Sequence, residues 1–391
     1  MQRIIISVSA IVFFSATSSA TESSFWSHQR KGANCQNEDV EPAYWHAASE
    51  AGIEFIRLIP DSWQSNSRDF LIGSADSFVT IDEHDMDVLV RALDDAHRYN
   101  VKVVVAMFSQ PGARWIQLNN DVADHRLWRD KTYHEQCGSF WRQVAKRLKD
   151  HPALVGYNPL NEPHPEKEHG IMNAYGDEAR EWFAAARGTA ADINAFNRTV
   201  VAAIRDVDPD TPIILDGPVY ASPGGLQYVE PIEDEAVFYA VHFYGTWQYV
   251  TFRVNNGRFS YPDRMPTGQG DETQPWTIQD LRDRMAIVKE WLRKHNVPPE
   301  RIVASEFGVD RRVEGAEALL RDIIAVLNES RYHWAFYGYR GDGAWGGMDY
   351  ELGTGKLGWD FWKAVERGED PELHKKRGDN PLWAVIQREL E

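Results

Sequence analysis

Cysteine is nearly absent from this chain: 391 residues hold two, Cys35 and Cys137. That excludes a disulfide framework of the kind that holds small exported domains together, and a chain this long can bury enough apolar surface to do without one. An oxidising compartment would permit one bridge between the two, and two buried free thiols fit equally well. Long apolar runs are also missing. The longest, Ile4 to Phe14, falls short of the roughly 20 residues that span a bilayer. Positive charge is in deficit, with 42 Lys and Arg against 59 Asp and Glu and a net charge of −17. Nucleic acid and anionic membranes would be repelled. There is no GxGxxG, no phosphate-binding P-loop and no nucleophile elbow, so nothing announces a nucleotide cofactor or a Ser-His-Asp triad. No repeat of 20–50 residues and no low-complexity tract interrupts the chain.

What is present begins with a patterned N-terminus. Arg3, the apolar stretch and then small residues (Ser18, Ala20) have the layout of a secretory signal occupying residues 1–20. The expectation is a mature chain 21–391 that is soluble, monomeric, and either secreted or periplasmic. Tryptophan is in excess, with 15 copies. A ring that large needs a partner for its N–H, so an excess marks aromatic contact surfaces as well as core.

From residue 31 onward, short β-branched runs alternate with longer helical patterns. Strands are expected at Lys31–Asn34, Ile53–Ile59, Val101–Met107, Leu154–Tyr157, 212–217, 236–244, 301–308 and 332–339. Between them lie patterns with apolar residues three and four apart, such as Met86, Leu89, Val90, Leu93 and Ala96. Strands apolar on both faces belong to parallel sheets covered by crossover helices. Eight such units predict an α/β fold, a (β/α)8 TIM barrel in one domain, rather than an open doubly wound sheet.

In such a barrel the chemistry sits at the C-terminal ends of the strands. Reading those ends in order yields Arg57, then Asn161 and Glu162, Asp216, His242 and Tyr244, Glu306, and finally Trp334, Tyr337 and Tyr339. Glu306 lies inside "IVASEFGV", apolar on both sides, so a surface turn does not explain it. A desolvated carboxyl there needs a cation, and Arg57 is the candidate. A structural ion pair orienting two strands would use the same residues. Two carboxyls in different environments on one rim suit glycoside hydrolysis, which uses one as acid and the other as nucleophile or base. "DEHDMD" (82–87) reads as acidic residues favoured at a helix start, not as a metal site. No metal or cofactor is expected.

The motif set "NPLNEP", "HFY" and "SEFG", on the fourth, sixth and seventh strands, resembles glycoside hydrolase family 5. "KGAN" (31–34) and "IEFIRLI" (53–59) are similar to that family's first two strands. The resemblance implies a retaining double displacement, with Glu162 as acid/base and Glu306 as nucleophile. It also implies that Asn161 binds the sugar 2-hydroxyl, that Arg57 and Tyr244 hold the nucleophile, and that His242 is a subsite residue. The expected partner is a carbohydrate, a β-linked glycan cleaved within the chain. A sugar-binding barrel without activity, transfer to a sugar in place of water, and a β-glycosidase specific for a glycoconjugate are the alternatives.

The chain departs from the family at two places. Phe108 stands where many members have a histidine after the third strand. On the eighth strand the aromatic floor beneath the sugar falls on Trp334 or on Tyr337. Trp247, Trp276 and Trp345 are further candidate platforms, with core packing the equal alternative for each. The polar excursion Thr246–Trp276 is expected to wall one end of the cleft.

Overall fold

The computed structural model describes residues 25–37, 40–266, 272–341 and 346–391. The expected signal segment, with its cleavage point after Ala20, lies outside the described residues, as does Trp345. Eight parallel strands close into a barrel: β1 (Lys31–Cys35), β2 (Phe55–Leu58), β3 (Lys102–Ala106), β4 (Leu154–Asn158), β5 (Ile213–Asp216), β6 (Val237–His242), β9 (Ile302–Glu306) and β10 (His333–Phe336). Two further strands, β7 (Asp263–Pro266) and β8 (Thr273–Trp276), form an antiparallel pair inside the excursion after β6. The barrel is the expected (β/α)8 fold, and every expected strand is present.

Strand alternation divides each barrel strand between two cores. One set of side chains points outward against the helices, where Val103, Val105, Tyr157, Tyr239, Ile302 and Trp334 are buried. The other set points inward. Its lower layer contains Phe55, Val104, Val155, Ile214, Phe238, Val303 and Ala335, closed below by Trp26. The Trp26 indole N–H donates to the Val155 carbonyl at 2.9 Å, so the barrel floor carries no unpaired ring donor. Two residues further along, the same inward row delivers polar groups: Arg57 after Phe55, Asp216 after Ile214, His242 after Ala240 and Tyr337 after Ala335. An apolar plug below and a polar crown above are thus one periodicity read at two heights.

The helices start where the sequence supplies caps. Asp82 accepts the Asp85 N–H at the head of Glu83–Arg98, and Asp192 accepts two N–H groups at the head of Ile193–Arg205. "DEHDMD" therefore contains an N-cap, and Asp85 accepts the Leu71 N–H at 2.9 Å as a loop tie. The helix Ile278–His295 begins with a full capping box at Thr277 and Asp280. Cys35 and Cys137 are both buried and free.

The excursion after β6 is more folded than a bare loop. Two short helices, Trp247–Val250 and Phe252–Asn255, precede the β7–β8 pair. Tyr249, Tyr261, Met265 and Trp276 from this segment join the main core, and the Tyr261 hydroxyl donates to Asp322 at 2.8 Å. Gly315, with φ +84°, sits so close to Tyr261 that a Cβ would lie 2.1 Å from its carbonyl oxygen. Only glycine fits there. Trp276 is 2% exposed with Arg284 over its ring, so it is a core residue and not a sugar platform.

Candidate active site at the barrel rim

The crown is organised around Arg57, which is 1% exposed. Its Nη1 donates to Glu306 Oε1 at 2.6 Å and to Asn34 Oδ1 at 2.9 Å. Nε and Nη2 both donate to Asn158 Oδ1, and Nη2 also donates to Asn161 Oδ1 at 2.7 Å. A planar guanidinium with five N–H donors can tie four strand ends at once, which a lysine could not. The ion pair expected between Arg57 and Glu306 is present, within a wider set of amide acceptors.

Glu306 ends β9 and receives donors on both oxygens. Tyr244, just beyond β6, donates its hydroxyl to Oε2 at 3.0 Å. Burial first, and then the Glu306 charge, push the Tyr244 phenol well above its ordinary range, so it remains a donor. Gly308, two residues past Glu306, lies where a Cβ would meet the Tyr337 carbonyl at 2.6 Å. The glycine of "SEFG" is thus required by the close approach of β9 and β10.

Glu162 is held differently. The strand has ended at Asn158, and Glu162 follows in the loop with φ +47°, a left-handed conformation that costs a non-glycine residue about 1–3 kcal/mol. Two contacts hold it. Its N–H donates to Asp216 Oδ2 at 3.0 Å, and its carbonyl accepts from His164 Nδ1 at 2.7 Å. Its carboxyl meets His242, whose Nδ1 lies 2.7 Å from Oε1. Burial raises the Glu162 pKa, the charges of Glu306 and Asp216 add to this, and His242 opposes it. Burial alone would lower His242, but the Glu306, Asp216 and Glu162 carboxylates outweigh it and hold the imidazole above its ordinary range. One oxygen each of Glu162 and Glu306 and a His242 nitrogen all lie within 4.8 Å of one another.

Asn161 completes the centre. Its Oδ1 is taken by Arg57, while its Nδ2 is buried without a partner. A buried, unpaired amide donor beside two carboxyls is costly unless a ligand supplies the acceptor.

Glu162, Glu306, Arg57, Asn161, His242 and Tyr244 thus converge, and Tyr337 joins them half-buried, with its hydroxyl donating to Gln36. Trp334 does not. It is fully buried on the outward face of β10, its indole N–H donating to Asn328 at 3.1 Å and its ring edge-on to Phe307. The alternation that turns Ala335 inward turns Trp334 away from the cleft, so the eighth-strand aromatic at the rim is Tyr337. Trp247 is 61% exposed at the start of its short helix, three residues past Tyr244. Phe108 is buried at the end of β3, packed 4.5 Å from the ring of Trp115, with its N–H held by Asp61.

Three participants carry more than the sequence reading assigned them. Asn34 accepts from Arg57 and donates to the Ser305 carbonyl at 2.8 Å. Asn158 bridges Arg57 to Asp216, donating to Asp216 Oδ1 at 2.8 Å. Asp216 contacts Asn158 and the Glu162 backbone and faces His242. The signal was available in the inward row, where a polar residue two places after a buried apolar one is a rim residue.

The chain matches the family model for cellulase, glycosyl hydrolase family 5, over residues 17–343. It is 25% identical over 336 residues to Endoglucanase C of Acetivibrio thermocellus, covering 78% of this chain and 83% of that protein. It is 23% identical over 268 residues to a β-xylosidase of Phanerodontia chrysosporium, covering 64% of this chain but only 48% of that protein's length. Among solved structures, the endoglucanase Cel5A of Thermotoga maritima superposes with a TM-score of 0.63 at 15% identity, covering 91% of this chain and 96% of that one. With the family model spanning most of the barrel, the chain belongs to glycosyl hydrolase family 5 and is a glycoside hydrolase of β-linked glycans.

Proposed function

We propose that the protein is an exported retaining enzyme that cuts within a β-linked glycan, with Glu306 as nucleophile and Glu162 as acid/base. The observation that carries the reading is the spacing of the two carboxyls, with one oxygen of each inside 4.8 Å. Retention needs the groups about 5–5.5 Å apart, whereas inversion leaves about 6.5–9.5 Å for a water between them. In the first half-reaction Glu306 attacks the anomeric carbon while the proton on Glu162 passes to the departing glycosidic oxygen. In the second, Glu162 takes a proton from water as that water attacks the glycosyl–Glu306 ester. Arg57 and Tyr244 hold Glu306 in place. The free Asn161 Nδ2 suits the sugar 2-hydroxyl, an interaction that strengthens as the oxocarbenium character develops.

Tyr337 is the aromatic floor in this reading, smaller than a tryptophan. Trp247 is an outer platform, and Phe108 with Trp115 forms an apolar wall where a histidine would donate a hydrogen bond. Cleavage inside the chain is supported by the endoglucanase relatives. The segment 1–20 as a secretory signal supports export, and among the described residues no helix is long and apolar enough to cross a membrane. The test is proton NMR of the fresh hydrolysate from β-glucan, mannan and xylan. The β-anomer should appear first and mutarotate afterwards; the α-anomer appearing first would overturn the assignment of Glu306 as nucleophile.

A further inference from the structure

The Asp216 side chain is entirely buried at the end of β5, and its carboxylate has no part in the reaction steps assigned so far. Its Oδ2 accepts the Glu162 N–H and lies 3.4 Å from His242 Nε2. Its Oδ1 accepts from Asn158, and Arg57 Nη2 stands 4.0 Å from Oδ2. His242 therefore has a carboxylate against each ring nitrogen: Asp216 at Nε2, and Glu162 with Glu306 at Nδ1, 2.7 and 3.6 Å away. The Nε2 contact is charge facing charge and not a hydrogen bond. With the proton on Glu162 a neutral ring could accept it at Nδ1, but the carboxylates of Asp216 and Glu306 on its two sides, 3.4 and 3.6 Å away, favour the imidazolium.

Charge counting gives the reason for a third acid. With Glu162 protonated, Arg57 and His242 contribute two positive charges, and Glu306 and Asp216 contribute two negative ones. After glycosylation Glu306 is a neutral ester and Glu162 is a carboxylate, so the buried cluster is again neutral. Without Asp216 it carries an uncompensated positive charge in both states, which burial penalises. We propose that Asp216 is a positioning residue for the acid/base: it is the counter-ion that keeps His242 an imidazolium while leaving the Glu162 proton in place, and it fixes the Glu162 backbone. The remaining groups around Glu162 are His164 on its carbonyl, which burial pushes down to about 4 and so leaves neutral, the phenol of Tyr220 from the loop after β5, with Lys167 over its ring, and the Tyr244 phenol on Glu306. Neither phenol supplies a negative charge while protonated.

This inference rests on the acid/base reading of Glu162, and the experiment separates the two. The kcat/KM of Asp216→Asn on a soluble β-glycan, measured against pH, should lose its basic limb about one unit earlier than the wild type. Removing a negative charge makes every proton in the cluster easier to lose, whichever group holds it, so the sign is fixed. A purely structural role would lower the rate at all pH values and leave the limb in place, which would overturn the proposal. Nitrogen NMR of the His242 ring in the unaltered protein should read imidazolium at neutral pH, whether or not the variant folds. A neutral ring there would equally overturn it. Glu162→Ala measured in parallel serves as the reference. Equal losses on glycan and on an aryl glycoside sink the acid/base reading itself, while an unmoved limb beside a normal Glu162→Ala response sinks only the part given to Asp216.

Discussion

Glu306 and Glu162 share one rim and less than 4.8 Å of space, yet they are held in opposite ways. Glu306 ends a strand, has a side chain 6% exposed, and meets a cation on one oxygen and a phenol on the other. Glu162 lies past the end of its strand in a left-handed conformation, has a side chain 19% exposed, and meets an imidazole. The first environment rewards a fixed negative charge. The second raises the cost of ionisation and keeps one oxygen open to the cleft, which suits a group that gives up and regains a proton. Identical side chains acquire different environments because one is delivered by a strand and the other by a strained turn.

The largest effect that could break this contrast comes from exchanging carboxyl for amide or methyl. Glu306→Gln should lower turnover on every substrate by at least about 10⁴-fold, because no other group near the anomeric carbon can form the ester. Glu162→Ala should lower the rate on glycans by about 10²–10⁴-fold while costing about tenfold or less in the first step on a dinitrophenyl glycoside, whose leaving group needs no proton. Steady-state and pre-steady-state kinetics on both substrate types would check this. If the two variants lost activity in the same proportion on both, the two glutamates would not differ in role.

Much of the contrast was legible before any coordinates. Seven barrel strands stood out because burial on both faces makes them largely apolar, while the first, "KGANC", carries few apolar residues and was placed by completing the count of eight; the polar residue at each end then falls on the rim. The pattern Met86, Leu89, Leu93 and Ala96 is the buried face of the helix Glu83–Arg98, because spacing by threes and fours sets that face. The helix Asp177–Ala186 and the β7–β8 pair escaped notice. The first is a short insertion with little apolar face, and the second carries prolines and charges that read as loop. Trp334 was misplaced for a physical reason. In "HWAFYGYR" both faces are aromatic or apolar, so composition cannot set the parity, and a one-residue slip exchanges core for cleft. Asp216 was legible as the polar end of its strand, but Asn158 was not, because the pairing of β3 with β4 shifts register before Gly156 and plain alternation from Val155 misses it.

A third glutamate sharpens the comparison by isolating burial. Glu166, four residues past Glu162, is fully buried with no cation on its carboxyl, which only backbone N–H groups of Glu166 and Val219 approach. Burial pushes its carboxyl up to about 7. A folded pKa above the unfolded value of about 4.3 means that its contribution to stability is complete below that value and lost as pH rises through about 7. The full difference is on the order of 3 kcal/mol. Glu166→Gln should therefore melt close to the wild type at pH 4.5 and above it at pH 8, with the gap opening between the two. A pH-independent difference in Tm would show that burial alone does not set the titration, and would weaken the same argument for Glu162.

The smallest effect concerns how far the crown reaches. Trp247 leaves 61% of its surface open three residues beyond Tyr244, while the tyrosine two places on, Tyr249, is buried and donates to the Glu314 carbonyl at 2.8 Å. That anchor fixes the short helix and leaves its first residue free to present an aromatic face to a sugar ring away from the reacting bond. An interaction made equally in ground and transition states changes KM and not kcat. Trp247→Ala should then raise KM about three- to tenfold for long oligosaccharides, consistent with an aromatic contact of about 0.5–1.5 kcal/mol, and leave the shortest cleavable substrate unaffected. Kinetics across an oligosaccharide ladder would read this directly. A loss independent of chain length would place Trp247 with the residues that hold Glu306 and Glu162, and the excursion after β6 would then belong to the catalytic crown and not to its approach.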